Sequence, residues 1–294
     1  MSTILGVANV LVPVLLCVLI GFGLARIKAP FDHKMVGSLV ANVGYPALIL
    51  SHLESAPVTL NAFLVTAAAA VAMIACFAIL GFLFLKLMGL PVRAFLSPMI
   101  FNNVGNIGLP ICALAFGEQG LAYALAFLII VIVGIFTVGI WVPSGKVGLR
   151  DIVNKPVVYA VIIALVLMGF DLRLPVAIDH MLHILGGLAI PLMLLTLGHT
   201  LATLKTGNLW RGAYLAVFHL AMAVAVAFGL TGLFGFEGVE RGVVIIMCLM
   251  PAAVATYLWV EVYTPDEAPA AAGFIMISTL LAVVSLPLAL AFWV

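Results

Sequence analysis

The sequence predicts an all-α polytopic membrane protein: ten transmembrane helices in two inverted five-helix repeats, with crossed, proline-broken fourth and ninth helices. Three observations carry that prediction. Of 294 residues, 66% are hydrophobic and 8% charged, with a mean hydropathy of +1.37, far outside the composition of a soluble domain. Apolar windows of about 20 residues, each long enough to span a hydrocarbon core, recur ten times between short polar breaks. Prolines recur in the two halves of the chain at separations of 141 to 145 residues.

The spans fall near residues 4–25, 34–53, 60–86, 94–117, 119–142, 156–171, 176–204, 210–234, 241–262 and 268–293. The first has no basic n-region and no A-x-A-like site behind it, so it reads as a retained helix and not as a signal peptide. In the second, GYPALIL at 44–50 resembles AIPLMLL at 189–195 in the seventh. The third contains AAAAVAMIACFAILGFLFL at 67–85, whose failure to alternate excludes a transmembrane β-barrel.

The fourth span holds FNNVGNIGLPICALAFG, Phe101 to Gly117. Asn106 lies twelve residues after Ala94, about 18 Å along a helix and so near mid-membrane. Pro110 removes a backbone donor and leaves the Asn106 carbonyl without a helical partner. Such a break persists in a membrane only where protein or a water-filled cavity supplies partners, and Gly105 and Gly108 let the chain bend and another backbone approach.

Between the fifth and sixth spans, the loop from Pro143 to Lys155 divides the chain into a first repeat, 1–143, a cytoplasmic linker, 144–155, and a second repeat, 156–294. Pro13 and Pro156, Pro30 and Pro175, Pro46 and Pro191, Pro110 and Pro251, and Pro143 and Pro287 mark the correspondence. Because five is odd, the second unit sits upside down, which suits a machine with two mirror-related states. With the N-terminus outside, ten of the twelve Lys and Arg fall in inner loops, Arg173 and Arg241 excepted. The C-terminus is then outside as well.

In the eighth span His219 is a candidate proton carrier, and equally a neutral histidine bonded to a neighbouring helix. His52 and His199 lie near span ends and suit interfacial roles. The ninth span, MCLMPAAVATYLW at Met247 to Trp259, has Pro251 near its middle. Two helices broken at matching depth can cross there and bring positively polarised half-helix N-termini together, an anion site needing no buried Lys or Arg. Tyr257 and Trp259 read as packing or interface residues, while in the tenth span Ser278, Thr279 and Ser285 can bond back to their own helix.

Glu54, Glu118, Asp179 and Glu261 lie near membrane surfaces, so no deep acidic relay is indicated. Cys17, Cys76, Cys112 and Cys248 sit inside spans without CxxC spacing, which argues against disulfides and metal. Scattered basic residues give no nucleic-acid patch. No GxxxxGK[ST] loop points to ATP hydrolysis, and no HExxH, GxSxG or carboxylate cluster points to an intramembrane enzyme.

NNVGNIGLPICALAFGEQGLAYALAF at 102–127, MPAAVATYLWVEVYTPDEAPAAAGFIMISTLLAVVSLPL at 250–288 and VGYPALIL at 43–50 together resemble the bacterial auxin efflux carrier family, relatives of the plant PIN carriers and of malate or malonate permeases. The topology it implies covers the whole chain. The resemblance implies a layout similar to that of bile-acid transporters, with a scaffold of helices 1, 2, 6 and 7, a mobile transport domain of helices 3–5 and 8–10, and homodimers formed through the scaffold. It further implies a crossover of helices 4 and 9 at Pro110 and Pro251, with substrate near Asn102, Asn103, Gly105 and Asn106, moved like an elevator. Ala255 stands where many members carry a polar residue, leaving Thr256 as the nearby side-chain donor.

The expected activity is secondary transport of a small organic anion, such as malate, malonate or an auxin-like acid, across the inner (cell) membrane. No cofactor is expected; H+ or Na+ is the candidate coupling ion. A passive anion channel is the alternative, and an intramembrane enzyme a remote one.

Overall fold

A computed structural model describes residues 2–53, 58–146, 155–170 and 172–294. The described residues are helical throughout, apart from connecting segments and one isolated two-residue bridge. Helices α1 (Ser2–Arg26), α2 (His33–Leu39), α3 (Tyr45–Leu53), α4 (Leu60–Leu87), α5 (Val92–Ile100), α6 (Leu109–Gly134) and α7 (Ile140–Ser144) come first. They are followed by α8 (Pro156–Gly169), α9 (Val176–Gly186), α10 (Ala189–Thr203), α11 (Leu209–Phe234), α12 (Gly238–Cys248), α13 (Tyr257–Tyr263) and α14 (Ala268–Phe292). Pro156 opens α8 at a position where a missing N–H costs nothing.

Seven described helical stretches are long and apolar enough to cross a membrane: Leu5–Arg26, Met35–His52, Leu60–Leu87, Val104–Ser144, Val176–Thr203, Leu209–Phe234 and Pro265–Phe292. The expected ten windows differ from these seven for local reasons. Pro156–Gly169 is apolar but short. The fourth and ninth windows are each interrupted by extended chain, after Ile100 and after Cys248. Val104–Ser144 runs for 41 residues, about 60 Å of helix and roughly twice the hydrocarbon core. Gly117, at φ +63° and ψ −149°, divides it.

Phe77, Phe95, Phe101, Phe127 and Phe274 are fully buried around the middle of the molecule. Leu16, Leu19 and Ile20 of α1 and Ile162 and Ile163 of α8 are exposed, a surface suited to lipid. α1 packs along α10 with backbones in near contact. A Cβ added at Gly198 would collide with the Val18 carbonyl, and one at Gly21 with the Leu195 carbonyl, the small-residue contact by which helices associate without a hydrophobic drive in lipid. Gly198→Ala should therefore cost about 1–3 kcal/mol through forced separation of the two helices. Thermal unfolding in detergent reads this directly, and a wild-type midpoint would mean that the helices are not so close.

Candidate functional site

Two helices stop inside the protein core. α5 ends at Ile100 and α12 at Cys248, and each chain continues as a short extended segment. The segments pair antiparallel: the Asn103 N–H donates to the Pro251 carbonyl at 2.7 Å, and the Ala253 N–H to the Phe101 carbonyl at 2.8 Å. Asn102 and Ala252 face each other between these bonds. Each break thus supplies the partners that the other lost, which is how non-helical backbone survives away from water. The Ala252 N–H is also satisfied, by Ser278 Oγ at 3.2 Å.

Asn102 completes the junction. Its Nδ2 donates to the carbonyls of Met247 (3.1 Å) and Cys248 (2.7 Å), the orphan acceptors at the C-terminus of α12. Those contacts fix the amide orientation, leaving Oδ1 to accept from His219 Nε2 at 3.1 Å. His219 must then carry its proton on Nε2, the neutral tautomer being sufficient. The ring is 2% exposed and packs edge-on against Phe77 and Phe274, with centroids 5.6 and 5.8 Å away.

Asn103 differs from its neighbour. It is 5% exposed, and its Nδ2 is buried with no hydrogen-bond partner among the described residues. It lines a cavity of about 170 Å³ together with Tyr45, Gly105, Asn106, Lys155 and Ala255. Backbone N–H groups of Gly105, Asn106 and Ala255 head the helical segments beyond the two breaks and have no backbone acceptor among the described residues. Gly105 is required where it stands, because a Cβ there would lie 2.7 Å from the Tyr45 hydroxyl. Lys155 Nζ sits 4.6 Å from the centroid of the Phe136 ring, another wall of the cavity. No Asp or Glu is among the lining residues. Unspent donors, two helix N-termini and one cation favour an anion.

The structure relocates several sequence expectations. The first break lies at Phe101–Asn103, not at Asn106 and Pro110. Pro110 is the second residue of α6 and follows a π-helical turn at Val104–Gly108 without an extended break, the Leu109 N–H donating to the Val104 carbonyl. Pro251 does lie in its break, and its carbonyl serves Asn103. Aligning Pro110 with Pro251 therefore gives the wrong register for the crossing. Thr256 is fully buried and donates to the Ala253 carbonyl at 2.7 Å; it is not a wall of the cavity, whereas Ala255 is. Asn102 is spent on α12, while Asn103, Gly105 and Asn106 share the cavity.

Sequence reasoning missed Tyr45, Phe136 and Lys155. Lys155 counted only as an inner-loop charge, although its place directly before Pro156, at the start of α8, sets it at a helix mouth.

Fold and site define an integral membrane protein organised around paired helix breaks. The sequence model for the auxin efflux carriers, described as membrane transport protein, matches residues 7–146 and 140–290, and the chain belongs to this family. An uncharacterized transporter of Methanocaldococcus jannaschii is 30% identical over 179 residues, covering 57% of this chain and 58% of that protein. The match thus spans little more than half of the relative's length. Both comparisons point to a transporter and not to an enzyme.

Proposed function

We propose that the protein is a secondary transporter of a small organic anion, a carboxylate of malate or malonate size, bound in the crossover cavity. The observation that carries this reading is the Asn103 amide, without a partner among the described residues, set among free N–H groups and Lys155 in a cavity whose described lining holds no Asp or Glu. Its volume of about 170 Å³ lies below the ~300–1,000 Å³ usual for drug-sized ligands, which favours an acid of a few carbons over an indole acid.

Ten spans in two inverted five-helix repeats follow if Gly117 separates two spans and each interrupted helix counts as one. Alternating access by an elevator-like shift of helices 3–5 and 8–10 past a dimeric scaffold of helices 1, 2, 6 and 7 completes the proposal. The protein would sit in the inner membrane with both termini outside, and H+ or Na+ remains the coupling ion to test by imposed gradients.

Uptake of radiolabelled mono- and dicarboxylates into proteoliposomes tests the reading. Saturable uptake of at least one acid is expected, and no uptake across a broad panel by folded protein would contradict it. Lys155→Gln should raise KM about three- to tenfold with little change in stability, as befits one charge at a partly solvated mouth. An unchanged KM would remove Lys155 from the site.

A further inference from the structure

A group of four titratable side chains lies apart from the cavity. His52, at the end of α3, places Nδ1 2.9 Å from Glu118 Oε2. Glu118 directly follows Gly117, whose positive φ turns the chain within Val104–Ser144. The His183 ring of α9 lies 5.3 Å from that of His52, and His183 Nδ1 is 3.1 Å from Asp179 Oδ1. Each histidine therefore has its own carboxylate, so both can be charged without an unbalanced repulsion.

Position gives the group its meaning. α3 begins at Tyr45, on the cavity wall, and reaches His52 seven residues later, about 10 Å along the helix. Lys155 and Val157, at the start of α8, also line the cavity. The His52–Glu118 contact thus lies about two turns of α3 from Tyr45 on the cavity wall. It joins α3 to the Gly117 corner of the stretch that carries Asn103 and Asn106 at its other end.

We propose that His52 and Glu118 form a proton-binding clamp that regulates transport through the crossover cavity, a role that rests on the transport reading above. A proton taken from water onto His52 turns the contact into an ion pair and holds the conformation seen here. Its return to water weakens the contact and lets the corner move. Added protons therefore strengthen the contact, and their loss weakens it.

α3 packs against α6, α8 and α9. Glu118 and His183 face His52 from two of these, with Asp179 behind His183. The other described titratable groups there are Cys112 and Tyr123 of α6, Tyr159 of α8 and His180 of α9, and no bond from any of them to His52 is present among the described residues. A different histidine pair, His33 and His199, has ring centroids 4.4 Å apart. Burial and then His199 hold His33 below the usual imidazole range, against a smaller opposing effect of Asp32, so it is a poorer proton acceptor.

Two readouts on wild type, His52→Gln and Glu118→Gln test the clamp. In detergent, wild type should melt about 1–3 °C above either variant near pH 6, with the gap closing near pH 8. A gap that does not depend on pH overturns proton binding by the pair. In proteoliposomes, wild-type uptake should be about two- to fivefold slower at an outer pH near 6 than near 8, and flat in both variants. A wild-type profile surviving in His52→Gln overturns the regulatory role. Failure of wild type to take up any acid overturns the transport reading and the regulation with it, while the melting comparison still decides whether the pair binds a proton.

Discussion

Asn102→Ala should leave little folded protein. The substitution strips two carbonyls at the end of α12 and one His219 N–H of their partner, all in the buried centre of the crossing. A buried polar group left unmatched costs about 1–3 kcal/mol, so three together reach on the order of 3–9 kcal/mol, comparable to the whole stability of many proteins at about 5–15 kcal/mol. The antiparallel backbone pair would survive in principle, since it uses Asn103, Phe101, Pro251 and Ala253. Without the amide, however, the Met247 and Cys248 carbonyls at the end of α12 lose this partner. Size-exclusion profiles and melting in detergent measure the effect. An Asn102→Ala protein as stable as wild type would show that the amide does not cap the helix.

Asn103→Ala should do the reverse. Its side-chain nitrogen bonds nothing among the described residues, and alanine keeps the backbone donor to Pro251, so stability should change by less than about 1 kcal/mol. Loss of an amide donor to a bound carboxylate removes a charge-assisted hydrogen bond of about 1.5–3 kcal/mol, equivalent to roughly ten- to a hundredfold in uptake efficiency. Two adjacent asparagines would then separate cleanly, one required for folding and one for the ligand. A folded Asn103→Ala protein with wild-type uptake would move the substrate elsewhere.

How far the sequence could foresee this is visible at the same residues. Composition and hydropathy suffice for an integral, helical membrane protein, because lipid leaves the backbone few alternatives. The asparagine-rich stretch and MCLMPAAVATYLW both turned out to contain breaks. The register was not legible, because a proline marks a rupture at Pro251 but at Pro110 lies within continuous helix that begins at Val104. Which asparagine caps and which stays free depends on where α12 ends, a fact of tertiary packing. His219 illustrates the same limit: a proton carrier and a neutral donor share one sequence signal, and only its 3.1 Å contact with Asn102 Oδ1 gives the neutral donor a partner. Thr256 looked available until its hydroxyl was found on its own backbone. His52 was read as interfacial, and its partner Glu118, far off in sequence, gives that position a use.

We propose that Asn103, the helix N-termini beyond the two breaks and Lys155 hold an anion in the crossover cavity. Thermal unfolding of purified wild type and Asn103→Ala with malonate, its neutral diamide and 1,3-diaminopropane tests it most directly. Malonate alone should raise the wild-type midpoint in a concentration-dependent way, since a ligand that binds only the folded state at about a hundred times its Kd adds roughly 2.7 kcal/mol. That rise should vanish in Asn103→Ala. Equal stabilisation by the diamide or the diamine, or an undiminished malonate effect in the variant, would contradict the account.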